Sequence, residues 1–149
     1  MSTVLKEMTW PDIEAVVGIE NELFAADPWT AEMFWAELAE VGNSRSVVCA
    51  WNAEEIIGYA SFRYVGKDGD VNTIAVKADL QGRGIGRQLM QWIYAEAELH
   101  GVDTIFLEVR SDNDIAISMY EKDEFERIDV RKNYYGTDVD AIVMRKRLG

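Results

Sequence analysis

Residues 79–92 read DLQGRGIGRQLMQW. Gly82, Gly84 and Gly86 alternate with Gln81, Arg83, Ile85 and Arg87, and the segment runs without a break into an apolar spacing of helical period. Glycines at this density leave backbone N–H groups uncovered, and the start of a helix carries a positive dipole, so the stretch predicts an anion cradle opening a helix. Two common phosphate loops are excluded by spacing. The dinucleotide pattern G-x-G-x-x-G fails because the sixth position is Arg87 counted from Gly82 and Leu89 counted from Gly84. The nucleotide P-loop fails because the nearby lysine, Lys77, precedes the glycines.

Around this stretch the periodicity alternates between strand and helix. Downstream, Ile85, Leu89, Ile93 and Ala97 make one apolar stripe to about Leu99; TIFLEVR (104–110) reads as a strand and NDIAISMYEK (113–122) as a helix. FERIDVRKNY (125–134) and DAIVMRKRL (140–148) read as a closing strand pair. Upstream, TVLKEM is a short strand, and Ile13, Val16, Val17, Leu23 and Phe24 predict a helix from about Asp12 to Phe24. Thr30 predicts the cap of a second helix carrying Phe34, Leu38 and Val41. RSVVCAWN (45–52), EIIGYASFRYV (55–65) and VNTIAV (71–76) predict an antiparallel meander. The order is β-α-α-β-β-β-α-β-α-β-β, an α/β (α+β) fold in which about seven strands form a mixed sheet flanked by four helices.

The chain has 149 residues, 48% of them hydrophobic, enough for one core; the expectation is a single domain over residues 1–149. No apolar run of about 18 residues and no basic-then-apolar start is present, so no membrane association is expected, and the cytoplasm is the expected location. One cysteine, Cys49, and one histidine, His100, exclude a disulfide framework and leave no soft-ligand cluster, so no metal is expected. Cys49 sits in an apolar strand and reads as a small buried hydrophobe; His100, beside Gly101 at a helix end, reads as a capping or surface residue. A formal net charge of −12 opposes direct nucleic acid binding and favours basic partners such as a basic peptide or polyamine. A monomer is the default.

The form Q-x-x-G-x-G at Gln81–Gly86, after a strand and opening a helix, resembles the pyrophosphate loop of the GCN5-related N-acetyltransferases (GNAT). NTIAV, LQGRGIGRQLM, FLEVRSDNDIAISMYEKDEF and RKNYYG resemble in succession the RimI branch, the ribosomal-protein-alanine N-acetyltransferases, from about Asn72 to Met144; PWT at Pro28–Thr30 fits that branch too. The resemblance implies acetyl-coenzyme A as donor and the N-terminal segment of a ribosomal protein, with an alanine α-amino group, as acceptor. It implies donor contacts from Ile74, Ala75, Val76, Gln81, Gly82, Arg83, Gly84, Ile85, Gly86, Arg87, Asn113 and Tyr120. It also implies Glu108 as general base and Tyr120 as general acid.

Acetyl transfer to an amine needs a neutral amine, a polarised thioester carbonyl and a proton donor for the leaving thiolate. Strand alternation sets Phe106, Glu108 and Arg110 on one face and Ile105, Leu107 and Val109 on the other; Glu108 reads either as a base or as the partner of Arg110 or another arginine. Tyr120 shares a helical stripe with Asn113 and Ile117, a position that also suits core packing. Pro28, Trp29, Tyr134 and Tyr135 are where the RimI branch shapes its acceptor groove. Without an activated cysteine, direct attack in a ternary complex is expected rather than an acyl-enzyme. Other acceptors, a different protein N-terminus or a small amine, fit the same residues, and a non-catalytic coenzyme A-binding module is the reading from another class. One departure stands out: where the family commonly has Leu-Gly after the acid tyrosine, this chain has Asp123 and Glu124. A glutamate in that left-handed position costs roughly 1 kcal/mol.

Overall fold

The computed structural model describes residues 2–148. The strands are β1 (Val4–Glu7), β2 (Arg45–Asn52), β3 (Glu55–Val65), β4 (Asp68–Val76), β5 (Thr104–Arg110), β6 (Glu126–Arg131) and β7 (Ala141–Arg147); the helices are α1 (Ile13–Leu23), α2 (Ala31–Ala39), α3 (Ile85–Leu99) and α4 (Asp114–Lys122). They form one seven-stranded mixed sheet in the order β1-β2-β3-β4-β5-β7-β6; the element sequence along the chain and the mixed seven-stranded sheet are those anticipated from the periodicity. The β4–β5 pair is parallel and the β1–β2, β2–β3, β5–β7 and β6–β7 pairs are antiparallel. The chain divides into two compact units, Met1–Arg63 with Asn72–Glu96, and Tyr64–Val71 with Ala97–Gly149.

In the first unit, a 3-10 turn at Trp10–Asp12 precedes α1, which buries Ile13, Val16, Ile19 and Glu20 against a core containing Phe34, Cys49, Ile56 and Tyr59. The expected α1 face was displaced by one flank: Val17 and Leu23 are only half-buried, and Ile19 and Glu20 take the interior. Thr30 caps α2 through its side-chain oxygen, which accepts from Met33 N at 3.3 Å. Val41, expected on this helix, lies beyond its end and is exposed; the inward position is held instead by Glu37. The buried Glu37 carboxylate accepts from Ser61 Oγ at 2.6 Å, Arg45 Nε at 2.7 Å and Asn72 Nδ2 at 2.9 Å, a donor set that makes its burial tolerable and pins α2 to β2, β3 and β4. Ile85, Leu89 and Ile93 of α3 are buried, as is Ala97, which falls in the second unit, all as their spacing predicts.

In the second unit, β5 alternates as read, with Ile105, Leu107 and Val109 buried and Glu108 exposed. Strand β6 is shorter than its apolar pattern suggests, because Asn133 adopts φ +54 and turns the chain; its backbone N–H donates to Asp140 Oδ1 at 2.9 Å. Tyr134 and Tyr135 therefore sit on a turn rather than on the strand. His100 is half-buried and stacked on Tyr64, ring centroids 3.9 Å apart, rather than simply capping or covering a surface.

Candidate active site

The glycine loop of the first unit has the conformation its composition predicts. Gly82 (φ +81) and Gly84 (φ +85) are left-handed, where any other side chain would be strained, and nothing lies within 4 Å of an added Cβ at Gly82, Gly84 or Gly86. Helix α3 opens at Ile85 with no acidic residue in its first turn, so its positive end is uncancelled, and Arg83 and Arg87 are exposed beside it. An open, cationic helix start with bare backbone donors suits a diphosphate. Gln81 does something the sequence did not reveal: its Nε2 donates to Val76 O at 3.0 Å, tying the loop back to the end of β4.

Ile74, Ala75 and Val76 lie beyond the three-residue parallel ladder of β4, which pairs Asp68–Asp70 with Thr104–Phe106. Their other neighbour is tight. A Cβ at Gly58 of β3 would meet Ala75 O at 2.8 Å, so glycine sets how close β3 approaches this stretch. The Pro28–Trp29 loop is half-buried, with the Trp29 ring 5.2 Å from Phe34 and Phe34 edge-on to Tyr59 at 5.7 Å. Cys49 is buried and its thiol is pushed up to about 12, chiefly by burial, which keeps it protonated and unreactive.

The second unit brings Glu108, Tyr134 and Tyr135 together through two arginines. Arg131 Nη1 donates to Glu108 Oε1 at 2.7 Å, while the same guanidinium lies 4.2 Å from the Tyr134 ring centre. Arg110 binds Asp112 through two hydrogen bonds of 3.0 Å and lies 5.4 Å from the Tyr135 ring, itself edge-on to Tyr134 at 5.1 Å. The arginine that reaches Glu108 is thus Arg131, not Arg110. Glu108 Oε2 is left without a partner among the described residues. Burial raises the Tyr135 phenol, with Glu108 and Tyr134 adding to the effect; the Arg110 guanidinium lowers the Asp112 carboxyl.

Arg131 is the member of this cluster that the linear sequence hides. Glu108 is registered with Val143 and Arg110 with Ala141 on β7, and these with Asp129 and Arg131 on β6; Glu108 and Arg131 therefore share a sheet face two strands apart. Only that register exposes the pair.

Asn113 is the N-cap of α4, its Oδ1 accepting from Ala116 N at 3.2 Å. Tyr120 is buried on the same helix beside Phe125, rings 5.6 Å apart, and burial pushes its phenol up to about 12. The helix ends in a Schellman cap: Phe125 N donates to Tyr120 O and Glu124 N to Glu121 O, both at 3.0 Å. Glu124 occupies its left-handed position at φ +72.

Residues 10–125 match the Acetyltransferase (GNAT) family. The chain belongs to this family. As a GNAT acetyltransferase it is 36% identical to the N-alpha-acetyltransferase RimI of Mycobacterium tuberculosis, over 95% of this chain and 90% of that one. It is 34% identical to the [ribosomal protein bS18]-alanine N-acetyltransferase of Salmonella typhimurium over 89% of each chain. The crystal structure of the ribosomal-protein-S18-alanine N-acetyltransferase from Escherichia coli superposes with a TM-score of 0.87 at 29% identity, covering 99% of this chain and 95% of that one. Another relative, the uncharacterized protein ML0378 of Mycobacterium leprae, is longer: at 36% identity the chain spans 40% of it. These likenesses make the GNAT protein an acetyl-CoA-dependent N-acetyltransferase of RimI type.

Proposed function

We propose that this acetyltransferase modifies the N-terminal alanine of a ribosomal protein, transferring acetyl directly from acetyl-coenzyme A in a ternary complex. The observation that carries the reading is the Glu108 cluster: a carboxylate with one free oxygen, held by Arg131 and bordered by Tyr134 and Tyr135. The identity to bS18-alanine acetyltransferases across 89% of both chains supports the acceptor class. The net charge of −12 suits the basic tail of such an acceptor.

In this reading Gln81–Arg87 hold the donor's pyrophosphate, with backbone N–H groups at the α3 start and the Arg83 and Arg87 guanidiniums, while Ile74–Val76 offer backbone groups to the pantetheine arm. Asn113 contributes from the start of α4. The donor supplies a thioester carbonyl whose C–S bond breaks as the C–N bond forms. Glu108 Oε2, directly or through water, removes a proton from the acceptor ammonium; an α-amino group with an ordinary value of about 7.7–8.0 is already partly neutral near pH 7, so a single proton has to be taken. Tyr120 acts at the other end of the transfer. With its phenol at about 12 against a thiol of about 8.5, complete proton transfer is uphill by roughly 5 kcal/mol, a wider gap than an unburied tyrosine would meet. Tyr120 therefore serves as a protonated hydrogen-bond donor to the departing thiolate, which takes its proton from solvent as the acylated nitrogen releases one. Pro28, Trp29, Tyr134 and Tyr135 shape the acceptor's path.

The test is thiol release from acetyl-coenzyme A with an alanine-starting ribosomal tail peptide, its N-blocked version and spermidine. Turnover is expected with the free peptide alone. Equal rates with and without the block would sink the N-terminal reading, and turnover confined to spermidine would transfer the enzyme to polyamines.

A further inference from the structure

Beneath the Pro28–Trp29 loop lies a carboxyl that the transfer chemistry leaves unused. Glu20 of α1 is 2% exposed, and its Oε2 has no hydrogen-bond partner among the described residues. Tyr59 of β3 faces it, wholly buried, and the Tyr59 Oη is likewise unpartnered. The Tyr59 phenol and the Trp29 backbone both lie close enough to ease the carboxylate's charge without reaching full hydrogen-bond geometry. The other titratable group beside the pair is Cys49 on β2, with Asp12 at the head of α1 acting in turn on Cys49; neither is a cation.

The loop itself is lightly held. Between the end of α1 and the Thr30 cap, Asp27 N donates to Phe24 O at 3.0 Å, and the Trp29 ring packs on Phe34 at 5.2 Å. The Trp29, Phe34 and Tyr59 rings form a continuous line of contacts from the loop to the buried pair. A change of charge at Glu20 acts on this segment directly.

We propose that Glu20 is a positioning residue for the acceptor loop: neutral, it stays buried and holds Trp29 in place; ionised, it draws the loop open to reach water. The inference rests on the assignment of Pro28 and Trp29 to acceptor binding. Burial is the main cause that lifts the Glu20 carboxyl from an ordinary 4.5 to about 7, with Tyr59 and the Trp29 backbone opposing it. Opening returns the carboxyl to water and to its ordinary value. Below 4.5 opening therefore gains nothing; between 4.5 and about 7 the gain grows up to tenfold per pH unit, with a ceiling of roughly 300-fold above that range.

The experiment follows 5-fluorotryptophan resonances of the full chain by 19F NMR against pH, with Trp29 assigned by Trp29→Phe, in the wild type and in Glu20→Gln. The Trp29 resonance is expected to step with a midpoint near 7 in the wild type and to remain at its low-pH position in Glu20→Gln. The acceptor KM of the wild type divided by that of the variant, a ratio that cancels the acceptor amine's own titration, rises at least about threefold as pH passes upward through that midpoint, with the donor KM unchanged. Tyr59→Phe removes the phenol that eases the charge, and moves the midpoint upward. A wild type without the step, a step that survives in Glu20→Gln, an unmoved midpoint in Tyr59→Phe, or a flat KM ratio overturns the proposal. If the acceptor reading itself fails, no peptide is acetylated at any pH, and the resonance step alone decides whether Glu20 governs the loop.

Discussion

Replacing Glu124 by glycine should make this acetyltransferase more stable. Glu124 is the left-handed residue of the Schellman cap that ends α4, at φ +72, and it makes no side-chain hydrogen bond or ion pair among the described residues. The left-handed conformation costs a non-glycine residue about 1–2 kcal/mol. Glycine removes that cost but loses roughly 0.5–1 kcal/mol more backbone entropy on folding, so the net gain is about 0.5–1 kcal/mol. With an unfolding entropy of about 2.1 cal/mol/K per residue, the midpoint of thermal unfolding rises by roughly 2–3 °C. Glu124→Ala is the control: it removes the same charge yet keeps a Cβ in the left-handed region, and should leave the midpoint within about 1 °C of wild type. Scanning calorimetry reads both. Alanine stabilising as much as glycine would refute the backbone argument and assign the effect to relieved charge repulsion. Turnover should be unchanged in both variants, since the two cap hydrogen bonds that anchor Tyr120 use backbone groups.

Gly58→Ala drives a Cβ to 2.8 Å from Ala75 O, a backbone atom that cannot swing aside; a loss of about 1–3 kcal/mol in stability and weaker acetyl-coenzyme A binding by calorimetry are expected. Glu108→Gln should lower turnover by about 10²-fold or more with donor affinity unchanged; unchanged turnover would remove Glu108 from the mechanism. Cys49→Ala should retain activity in the thiol-release assay, because a thiol at about 12 is no nucleophile; loss of activity with normal folding would favour an acyl-enzyme. Glu20→Gln should stabilise the protein at alkaline pH. The Glu20 carboxyl is higher in the folded chain than in the unfolded one, so its favourable neutral form is complete below 4.5 and is lost as pH rises through about 7; denaturant titration should show variant and wild type equal at the acid end and diverging above that range by at most about 3 kcal/mol, the opening of the loop relieving part of it.

What could be read from the linear sequence divides along a physical line. Strand β5 ends where the apolar alternation ends, and the α3 stripe is buried where its spacing places it, because both report on a single neighbouring surface. Glu37 was invisible for the opposite reason. Its burial depends on Arg45, Ser61 and Asn72, which lie 8, 24 and 35 positions away, and no local pattern marks a carboxylate whose donors are that distant. The same holds for Arg131, which reaches Glu108 only through the β5–β7–β6 register. The left-handed Glu124 was legible, since the helix-ending position demands that conformation whichever residue fills it.

In the proposed reading the two substrates are recognised by different kinds of group, and this explains why the donor is easier to infer than the acceptor. The donor elements are mainly backbone: left-handed glycines at Gly82 and Gly84, the open start of α3, and the Ile74–Val76 stretch whose spacing Gly58 sets. Backbone demands of this kind leave a mark in sequence, because only glycine meets them. The acceptor elements that reading assigns are side chains on a loop and a turn, Trp29, Tyr134 and Tyr135, with Arg131 packed on Tyr134. Aromatic turn residues satisfy packing as readily as binding, and their supports are charged residues whose partners the fold supplies. Exchanging Trp29, Tyr134 or Tyr135 should therefore change which amine is acetylated while leaving the donor KM in place; a donor KM that moves with the acceptor loop would show that the two recognition sets are not separable.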